Sequence, residues 1–291
     1  RSFTETVQVG QRLETLAEIT AVKREKQAAI VHDWQNKWAL EGSCGPRNAG
    51  MGYWDELKRH YNALAREGIA VEFVDQNADL TGYGLVVVPM LYLLTDAFAK
   101  KLCAFAQNGG TVIVTYWSGV VDESDLCRLG DTPYGLTELL GLRRTEIDGM
   151  YDGEPRRCMS VDSCTLPAAQ ASILCEVAAL DEENPAEPLS LYDEDYFAGH
   201  PAVAVHRYGK GRAYYLASRF DEAFYRAFYH DAAMEIGLIP AWPEALPKGV
   251  LAVRRGSFVF VQNCTEQPAT VGNTVLDRYR TAVWKDMDRI F

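Results

Sequence analysis

The stretch AAIVHDWQNKWALEG, residues 28–42, places an imidazole, a carboxylate and two indoles close together in the chain. A carboxylate and an imidazole can transfer protons in hydrolysis, and an indole ring offers a flat apolar face to a sugar. His32, Asp33, Trp34 and Trp38 therefore suggest a sugar-binding or hydrolytic site. The alternative is a strand end whose aromatic side chains pack into a subunit contact, with His32 as a hydrogen-bonded packing residue rather than a general base.

The cysteines and histidines lack the spacing of a metal or disulfide site. Neither a C-x-x-C pair nor an H-E-x-x-H motif occurs among the seven cysteines and five histidines. An odd number of cysteines argues against a disulfide framework and fits a reducing cytoplasm. We therefore expect a cytoplasmic protein with no metal or other cofactor.

The composition is that of an ordinary globular protein. The 291 residues are 48% hydrophobic and 24% charged, and no run approaches the length of apolar sequence that a membrane-spanning helix needs. The formal net charge of −11 argues against nucleic acid, because binding to phosphates requires clustered lysines and arginines. We expect neither a membrane nor a nucleic acid partner.

The first twenty residues, RSFTETVQVGQRLETLAEIT, have no continuous apolar run of the kind found in signal peptides. Val7, Leu13, Leu16 and Ile19 follow helical spacing, which predicts an amphipathic helix with an apolar face that needs a partner. The sequence also begins without Met. We expect the chain to be a piece of a longer polypeptide.

From residue 28 onward, short apolar runs alternate with longer amphipathic segments, which is typical of βαβ units and a mostly parallel sheet. Four runs are predicted to be strands: 28–33, 70–75, 84–90 and 111–117. Helices are predicted over 53–66 and from the N-cap Thr95 to Gln107. The first helix would bury a stripe of four side chains: Trp54, Leu57, Tyr61 and Leu64. A Gly-rich loop is predicted between the first strand and this helix.

Beyond residue 117 the pattern is looser. Residues 118–133 are predicted to form a polar loop and residues 144–207 to be irregular, with short strand-like pieces. The stretch HPAVAVHRYGKGRAYYLAS alternates apolar and polar side chains around a glycine turn, which predicts a hairpin. A helix near 220–236 and a proline-rich linker follow. From Gly249 onward, apolar and polar residues alternate, which predicts a small antiparallel β domain.

Four stretches, in order along nearly the whole chain, resemble one known family: AAIVHDWQNKWALEG, VEFVDQNADLTGYGLVVVPMLYLLTD, NGGTVIVTYWSGVVDESD and YGKGRAYYLASRFDEAFY. They resemble the C-terminal portion of glycoside hydrolase family 42 β-galactosidases. The resemblance implies a flavodoxin-like trimerisation domain, related in fold to class I glutamine amidotransferases, followed by a small β domain. On it, residues 1–26 are a connector from an upstream catalytic barrel, residues 27–243 form the trimerisation domain, and residues 244–291 belong to the β domain.

The same resemblance implies a non-catalytic region of an enzyme that hydrolyses terminal β-D-galactosides. Retaining glycosidases need two carboxylates about 5 Å apart, and the resemblance places both on barrel strands upstream of Arg1. The acids within the chain that could form such a pair have the sequence context of turns and helix caps: Asp33, Glu41, Asp75 and Asp79. We expect no hydrolysis by this chain alone, a homotrimer built by the α/β domain, and a β-galactoside bound only through the barrel.

Two alternatives from other functional classes remain open. The amidotransferase-like fold would allow a self-standing hydrolase with a nucleophile in the turn after a central strand. The matching segment, TVIVTYWSGVV, places Tyr116 and Trp117 near that turn and Ser118 one step later, without a G-x-C-x-G or G-x-S-x-G frame. We favour a degenerate, non-catalytic turn. The other alternative is a carbohydrate-binding module that uses the tryptophans.

Seven side chains at the predicted strand ends are the candidate interface or pocket wall. The carboxyl ends of parallel strands meet at one edge of a sheet, so these side chains should gather there. Trp, Tyr and Met are enriched at the core of protein interfaces. The expected partner is the barrel of a neighbouring subunit, whose galactoside pocket this edge would line. The candidates are His32, Trp34, Trp38, Met90, Tyr92, Tyr116 and Trp117.

Overall fold

The computed structural model describes residues 2–23, 25–43, 45 and 50–289. The chain divides into two compact units. The larger unit comprises residues 27–64 and 71–238, and the smaller unit comprises residues 1–26, 65–70 and 239–291. Within the described residues, no helix combines the length and the apolar composition needed to cross a bilayer.

Helices and strands are interspersed up to residue 140, and residues 142–219 contain strands without an intervening helix. The α-helices are α1 (Ser2–Thr15), α2 (Trp34–Gly42), α3 (Tyr53–Arg66), α4 (Asp96–Gln107), α5 (Thr137–Leu140) and α6 (Glu222–Glu235), and a 3₁₀ helix covers Ala17–Ala21. The strands of the larger unit are β1 (Ala28–Val31), β2 (Val71–Val74), β3 (Leu85–Val88), β4 (Thr111–Thr115), β5 (Leu142–Gly149), β6 (Arg156–Ser160), β7 (Ala169–Leu180), β8 (Glu187–Tyr192), β9 (Pro201–Tyr208), β10 (Gly211–Leu216) and β11 (Ser218–Arg219). Those of the smaller unit are β12 (Val250–Arg255), β13 (Phe258–Asn263), β14 (Ala269–Val271), β15 (Thr274–Leu276), β16 (Thr281–Lys285) and β17 (Asp288–Arg289).

The strands of the larger unit form one mixed sheet of 11 strands among the described residues. Its parallel part has the order β2–β1–β3–β4–β10, with Ala28 opposite Val71 and Val86 opposite Val112. The antiparallel part continues from β10 through β9, β8 and β6 to β7, and both β5 and β11 pair with β7. The predicted α/β fold with a parallel sheet is confirmed, and antiparallel strands extend that sheet.

The central strands form because their sequences are apolar at nearly every position. AAIV, LVVV and TVIVT, the sequences of β1, β3 and β4, are buried at every residue, as expected for parallel strands covered on both faces. The predicted helix over 53–66 has the same bounds in the structure. The Thr95 side chain accepts a hydrogen bond from the Phe98 amide at 3.3 Å, so the predicted N-cap of α4 is also confirmed. β9 and β10 form the predicted hairpin.

Residues 34–42 form a helix, and the prediction of a strand end running into a loop is wrong there. Asp33 has an extended backbone and its Oδ1 accepts hydrogen bonds from the amides of Gln35 at 2.8 Å and Asn36 at 3.2 Å. This is an N-cap, which satisfies amides that lack a partner in the first turn of a helix. α2 therefore starts at Trp34, directly after the cap.

Residues 144–207 are not irregular, because most of them belong to β5 through β9. The prediction failed at β5, β6 and β8 because these strands carry charged side chains at exposed or partly exposed positions. LRRTEIDG, the sequence of β5, has only its first residue fully buried, so it shows no apolar run. The four predicted parallel strands are also two or three residues too long; for example, the run 28–33 forms a strand only over Ala28–Val31.

The smaller unit contains the predicted antiparallel β structure. β12, β13, β16 and β17 form a four-stranded sheet, and β14 pairs with β15. Trp242 and Trp284 pack edge to face at 5.0 Å in its core, and Ile19 from the 3₁₀ helix packs with Phe258 and Val283. The predicted N-terminal helix forms, but Val7 and Leu13 are exposed on it.

Candidate functional site

A cluster of exposed tryptophans lies at the carboxyl edge of the parallel strands. We call Trp34, Trp38, Trp54 and the adjacent His32 the tryptophan platform. The Trp34 ring lies 6.3 Å from that of Trp38 and 5.8 Å from that of Trp54, and His32 stacks on Trp54 at 4.8 Å. The exposed fractions are 53% for Trp34, 62% for Trp38 and 42% for Trp54. Large aromatic side chains are rarely grouped on a surface that contacts only water.

Buried polar groups hold the platform in place. Trp34 and Trp38 are one helical turn apart on α2, so they share a face of that helix. Between them, the fully buried Asn36 donates from Nδ2 to the Met90 carbonyl at 3.1 Å and accepts from the Leu93 amide at 2.9 Å. These bonds fix α2 to the segment that follows β3.

His32 has the surroundings of a packing residue. Burial is the main cause that lowers its pKa, and the charge of Lys37 also lowers it, whereas the charge of Asp33 opposes both. The imidazole is therefore neutral at neutral pH. Its Nε2 atom is buried and has no hydrogen-bond partner among the described residues, so this nitrogen is not positioned to take a proton from a substrate. The stack with Trp54 accounts for its position.

Two residues with positive φ form the layer beneath the platform. Met90 follows β3 with φ 43°, and Trp117 follows β4 with φ 58°. Non-glycine residues adopt this conformation only when their surroundings enforce it. The Thr115 hydroxyl accepts from the Met90 amide at 2.8 Å, and Glu176 Oε1 accepts from the Trp117 amide at 3.0 Å. The Trp117 indole then stacks on Tyr92 at 5.6 Å.

Glu176 belongs to a buried cluster that fixes the turn after β4. The Arg144 guanidinium lies 2.7 Å from Glu176 Oε1, and the Tyr215 hydroxyl donates to Oε2. We call Glu176, Arg144 and Tyr215 the Glu176 cluster. Burial, followed by the Glu176 charge, raises the pKa of Tyr215 well above its usual value, so the hydroxyl keeps its proton and remains a donor.

A second buried cluster surrounds Glu56 on α3. Glu56 Oε2 accepts from Arg219 Nε at 2.7 Å, and Glu56 Oε1 accepts from the Tyr225 hydroxyl at 2.7 Å. His60 Nε2 lies 3.2 Å from the same Oε1 atom. Arg219 Nε also lies 3.0 Å from the Tyr116 hydroxyl. We call Glu56, His60, Tyr116, Arg219 and Tyr225 the Glu56 cluster.

The Glu56 cluster stabilises a charged carboxylate and the turn that leads to Trp54. Burial would raise the pKa of Glu56, but the close contact with His60, the charge of Arg219 and the hydrogen bond from Tyr225 outweigh burial and lower it to about 2. Arg219 Nη2 also donates to the Met51 carbonyl, and Gly52 follows in the same turn. The cluster thereby positions the start of α3, which carries Trp54.

Within the part of the chain that the structure describes, the turn after β4 presents no accessible nucleophile. The strained position that a nucleophile would occupy holds Trp117, whose side chain has no nucleophilic atom. Ser118 is fully buried, and its Oγ accepts from the Leu91 amide at 3.0 Å. A buried hydroxyl that serves as an acceptor for the backbone is not available to a substrate. This geometry disfavours the amidotransferase-like alternative.

The four acids considered for glycoside chemistry all have structural partners. Asp33 caps α2 and accepts from Gln76 Nε2 at 3.2 Å, and Glu41 pairs with Lys37 at 2.6 Å. Asp75 and Asp79 accept from backbone amides two residues on, at 2.8 and 3.0 Å. Each carboxylate therefore lies in a cap, an ion pair or a turn.

The seven predicted site residues do gather at this edge, but in two layers. Trp34 and Trp38 are exposed and His32 is partly exposed, whereas the other four side chains are buried: Met90, Tyr92, Tyr116 and Trp117. Trp54 was missed as a surface residue, because its helical spacing predicted a buried stripe. Its place in the first turn of α3, directly after a glycine-rich segment, was the signal that could have identified it.

The ion pairs of the two buried clusters were not predicted from the sequence. Glu56 and Arg219 are 163 positions apart in the chain, and Arg144 and Glu176 are 32 apart, so no local spacing connects them. Only the fold brings them together.

Comparisons with known proteins identify the family of this chain. Residues 26–239 match the family described as β-galactosidase trimerisation domain. β-Galactosidase BglY of Alicyclobacillus acidocaldarius is 42% identical over 278 residues, which is 93% of this chain and 40% of that protein. β-Galactosidase Pbg of Clostridium perfringens is 34% identical over 284 residues, 95% of this chain and 41% of that protein. This chain thus spans about two fifths of the length of the curated relatives it matches.

Solved structures show the same likeness. The cold-adapted β-galactosidase from Rahnella sp. R3 superposes with a TM-score of 0.88 at 37% sequence identity, covering 97% of this chain and 44% of that one. A catalytic mutant of Gan42B, a GH42 β-galactosidase from G. stearothermophilus, superposes with a TM-score of 0.88 at 30% sequence identity. The superposition covers 99% of this chain and 44% of that one.

Proposed function

The chain belongs to the β-galactosidase trimerisation domain family, and from this premise we propose that it is the non-catalytic oligomerisation region of a β-galactosidase. The whole protein would hydrolyse terminal β-D-galactosides in carbohydrate metabolism. The catalytic carboxylates would lie outside residues 1–291, in the upstream barrel that the family resemblance implies. This chain would contribute assembly rather than chemistry.

The observation that supports this proposal most is the tryptophan platform. Three indoles are held on a rigid support, exposed, at the edge where this fold places its functional groups. Trp is the residue type most enriched among the side chains that dominate binding energy at interfaces. We propose that the chain forms a homotrimer in which Trp34, Trp38 and Trp54 contact a neighbouring copy of residues 1–291. In the whole protein the same edge would also line the galactoside pocket of that neighbour's barrel.

The buried layer supports the non-catalytic part of the proposal. Trp117 occupies the strained turn, Ser118 is buried, and the acids near the edge serve as caps and turn acceptors. We therefore expect the chain alone to release no nitrophenol from a nitrophenyl β-galactoside.

We also propose a division of labour along the chain and a location. Residues 1–26 would be the connector, 27–243 the trimerisation domain and 244–291 the β domain; the two compact units and the family match to residue 239 support this division. A reducing cytoplasm suits the free thiols among the described residues. Burial, the main cause, raises the pKa of Cys175 to about 12, so that thiol is protected from reaction.

Sedimentation velocity of the 291-residue chain tests the assembly. We expect a concentration-dependent trimer, and we expect the W34A/W38A double variant to sediment as a monomer at concentrations where the unsubstituted chain is trimeric. Tyr151→Ala is the matched control, since Tyr151 is an aromatic residue that is 80% exposed elsewhere in the larger unit.

Three other results would overturn the proposal in different ways. A chain that stays monomeric at every concentration would contradict the oligomerisation role. Galactoside hydrolysis by the purified chain, or stoichiometric labelling of Ser118 with loss of an activity, would favour a self-standing hydrolase. Heat released on titration with galactose or lactose, abolished by W34A/W38A, would favour a carbohydrate-binding module.

A further inference from the structure

A second exposed apolar feature lies in the loop after β4. Residues 122–130 expose Leu126, 64% accessible, and Leu129, 91% accessible. We call this segment the leucine loop. Loops on a protein surface usually present polar side chains to water, so two exposed leucines within four positions need a reason.

The leucine loop is fixed by its own polar groups. Asp122 Oδ1 accepts from the Ser124 amide at 2.8 Å and from the Leu126 amide at 3.1 Å. The Asp122 amide donates to the Leu126 carbonyl at 2.9 Å, and Val121 bridges to Cys127. Both backbone hydrogen bonds of Leu126 are therefore made within the loop, and its side chain is held outward in a fixed position.

Arg128 anchors the base of the loop to the rest of the larger unit. Its guanidinium, 13% exposed, donates to the Leu94 carbonyl at 3.1 Å, pairs with Asp96 at 2.8 Å and covers the Tyr134 ring at 4.4 Å. The Val120 amide donates to the Tyr92 carbonyl at 3.0 Å, which joins the loop to the carboxyl edge that carries the platform. A loop fixed in this way is preorganised, so docking it costs little conformational entropy.

Symmetry requires more than one contact surface. In a closed ring of three identical chains each interface is heterologous, because one surface of a chain contacts a different surface of the next. The platform supplies one surface and leaves a second to be found. We propose that the leucine loop is part of this second surface and packs, through Leu126 and Leu129, against a neighbouring copy of the chain. This inference rests on the trimer of the proposed function.

The charge of the loop selects this occupant over a lipid surface. The segment DESDLCRLGD, residues 122–131, contains four acids, and its one basic residue, Arg128, is occupied at the base. Anionic lipid headgroups attract Lys and Arg clusters and repel such a segment. A surface of a neighbouring copy can cover the two leucines without a cluster of basic residues in the loop.

Two exposed cysteines allow a test without any substitution. Cys127 lies in the leucine loop, and Cys264 lies in the smaller unit. N-ethylmaleimide labelling, read at each cysteine by peptide mass spectrometry, compares protein concentrations below and above the monomer–trimer transition. We expect Cys127 labelling to slow at least tenfold in the trimer while Cys264 labelling stays unchanged. Equal Cys127 rates in monomer and trimer would overturn the inference.

A matched pair of variants provides the second test. Leu129→Asp should raise the dissociation constant of the trimer by roughly 100-fold, as expected for a charge placed in an apolar contact. Met234→Asp changes a residue that is 66% exposed on α6, close to Glu235 and the first residues of β10, at the opposite end of the parallel strands; it should leave the constant unchanged. Circular dichroism verifies that both variants fold.

The outcomes separate this inference from the proposed function. A trimer that persists with Leu129→Asp, together with a reactive Cys127, refutes the leucine loop and leaves the trimer standing. A chain that is monomeric at all concentrations refutes both. Loss of the trimer with Leu129→Asp but not with Met234→Asp supports both.

Discussion

The tryptophan platform and the two buried clusters lie at the same edge of the sheet and differ in almost every physical respect. The platform is aromatic, exposed and carries no paired charge apart from the nearby Lys37–Glu41 ion pair. The clusters are charged and fully enclosed, with Glu56 and Glu176 both at zero exposure. Exposed apolar area contributes nothing to folding until a partner covers it, whereas a buried carboxylate destabilises the fold unless a cation compensates it.

The difference indicates two separate roles. The clusters hold the turns at Met51 and Trp117 in their required conformations, and the Thr115 hydroxyl does the same for the turn at Met90. These turns position the platform. Substitutions in the clusters should therefore change folding stability, and substitutions in the platform should change assembly. Each prediction below tests whether the two roles can be separated.

The largest effect is expected for Arg219→Ala. The substitution leaves the Glu56 carboxylate buried without its nearest cation and removes the donor to the Met51 carbonyl. Breaking a buried ion pair from one side costs about 3–5 kcal/mol of unfolding free energy. Urea denaturation at protein concentrations where the chain is monomeric measures this loss. Arg226→Ala, which removes an exposed arginine from α6, should cost no more than about 0.5 kcal/mol; equal losses for the two variants would show that the cluster is not stabilising.

The next effect is a pH dependence that belongs to Glu56. Its folded-state pKa is about 2, below the ordinary value of 4.5, so the unfolded state binds the proton first as pH falls. The stabilisation is complete above about pH 5 and is lost progressively as pH falls toward 2. The shift corresponds to roughly 3 kcal/mol. Urea unfolding of the unsubstituted chain and of Glu56→Gln between pH 7 and 3 gives the difference between their unfolding free energies. This difference should shrink as the pH falls, and a constant difference over this range would contradict the assignment.

The sequence predicted the parts of the larger unit that depend on local pattern. Continuous apolar runs identified β1, β3 and β4, and the helix over 53–66 and the Thr95 cap were predicted from spacing and side-chain type. The Asp33 cap carries the same kind of signal, yet an apolar run that led directly into His32 and Trp34 favoured a strand end. The glycine-rich segment that follows also favoured a loop, so the helix α2 was not predicted.

The parts that could not be predicted depend on distant residues. β5 carries charges on its exposed face and so shows no apolar run, although it pairs with β7 over most of its length. Which residues of the candidate site are exposed also depends on residues that are distant in the sequence. Met90 and Tyr116 have the composition of an interface, but β11, α3 and α6 cover them through Arg219 and Glu56, which are remote in sequence.

A smaller effect is expected where the two layers meet, at Asn36. Asn36→Ala removes two hydrogen bonds and leaves the Leu93 amide and the Met90 carbonyl buried without these partners. We expect a loss of about 2 kcal/mol in unfolding free energy. Because α2 is then less firmly held, the trimer should also weaken. Gln35→Ala, on the exposed face of the same helix, should change neither quantity; a destabilised chain with an unchanged trimer would show that the platform does not depend on this anchor.

The smallest effect on folding is expected for W34A/W38A, although its effect on assembly is large. Both indoles are more than half exposed, so their removal takes little apolar area from the folded monomer and should cost less than about 1 kcal/mol. Thermal unfolding at two concentrations distinguishes the roles, because a partner that binds only the folded chain raises its apparent stability by mass action. Below the trimer concentration the variant and the unsubstituted chain should unfold at nearly the same temperature. Above it, only the unsubstituted chain should gain stability, and a variant that gained equally would place the contact elsewhere on the molecule.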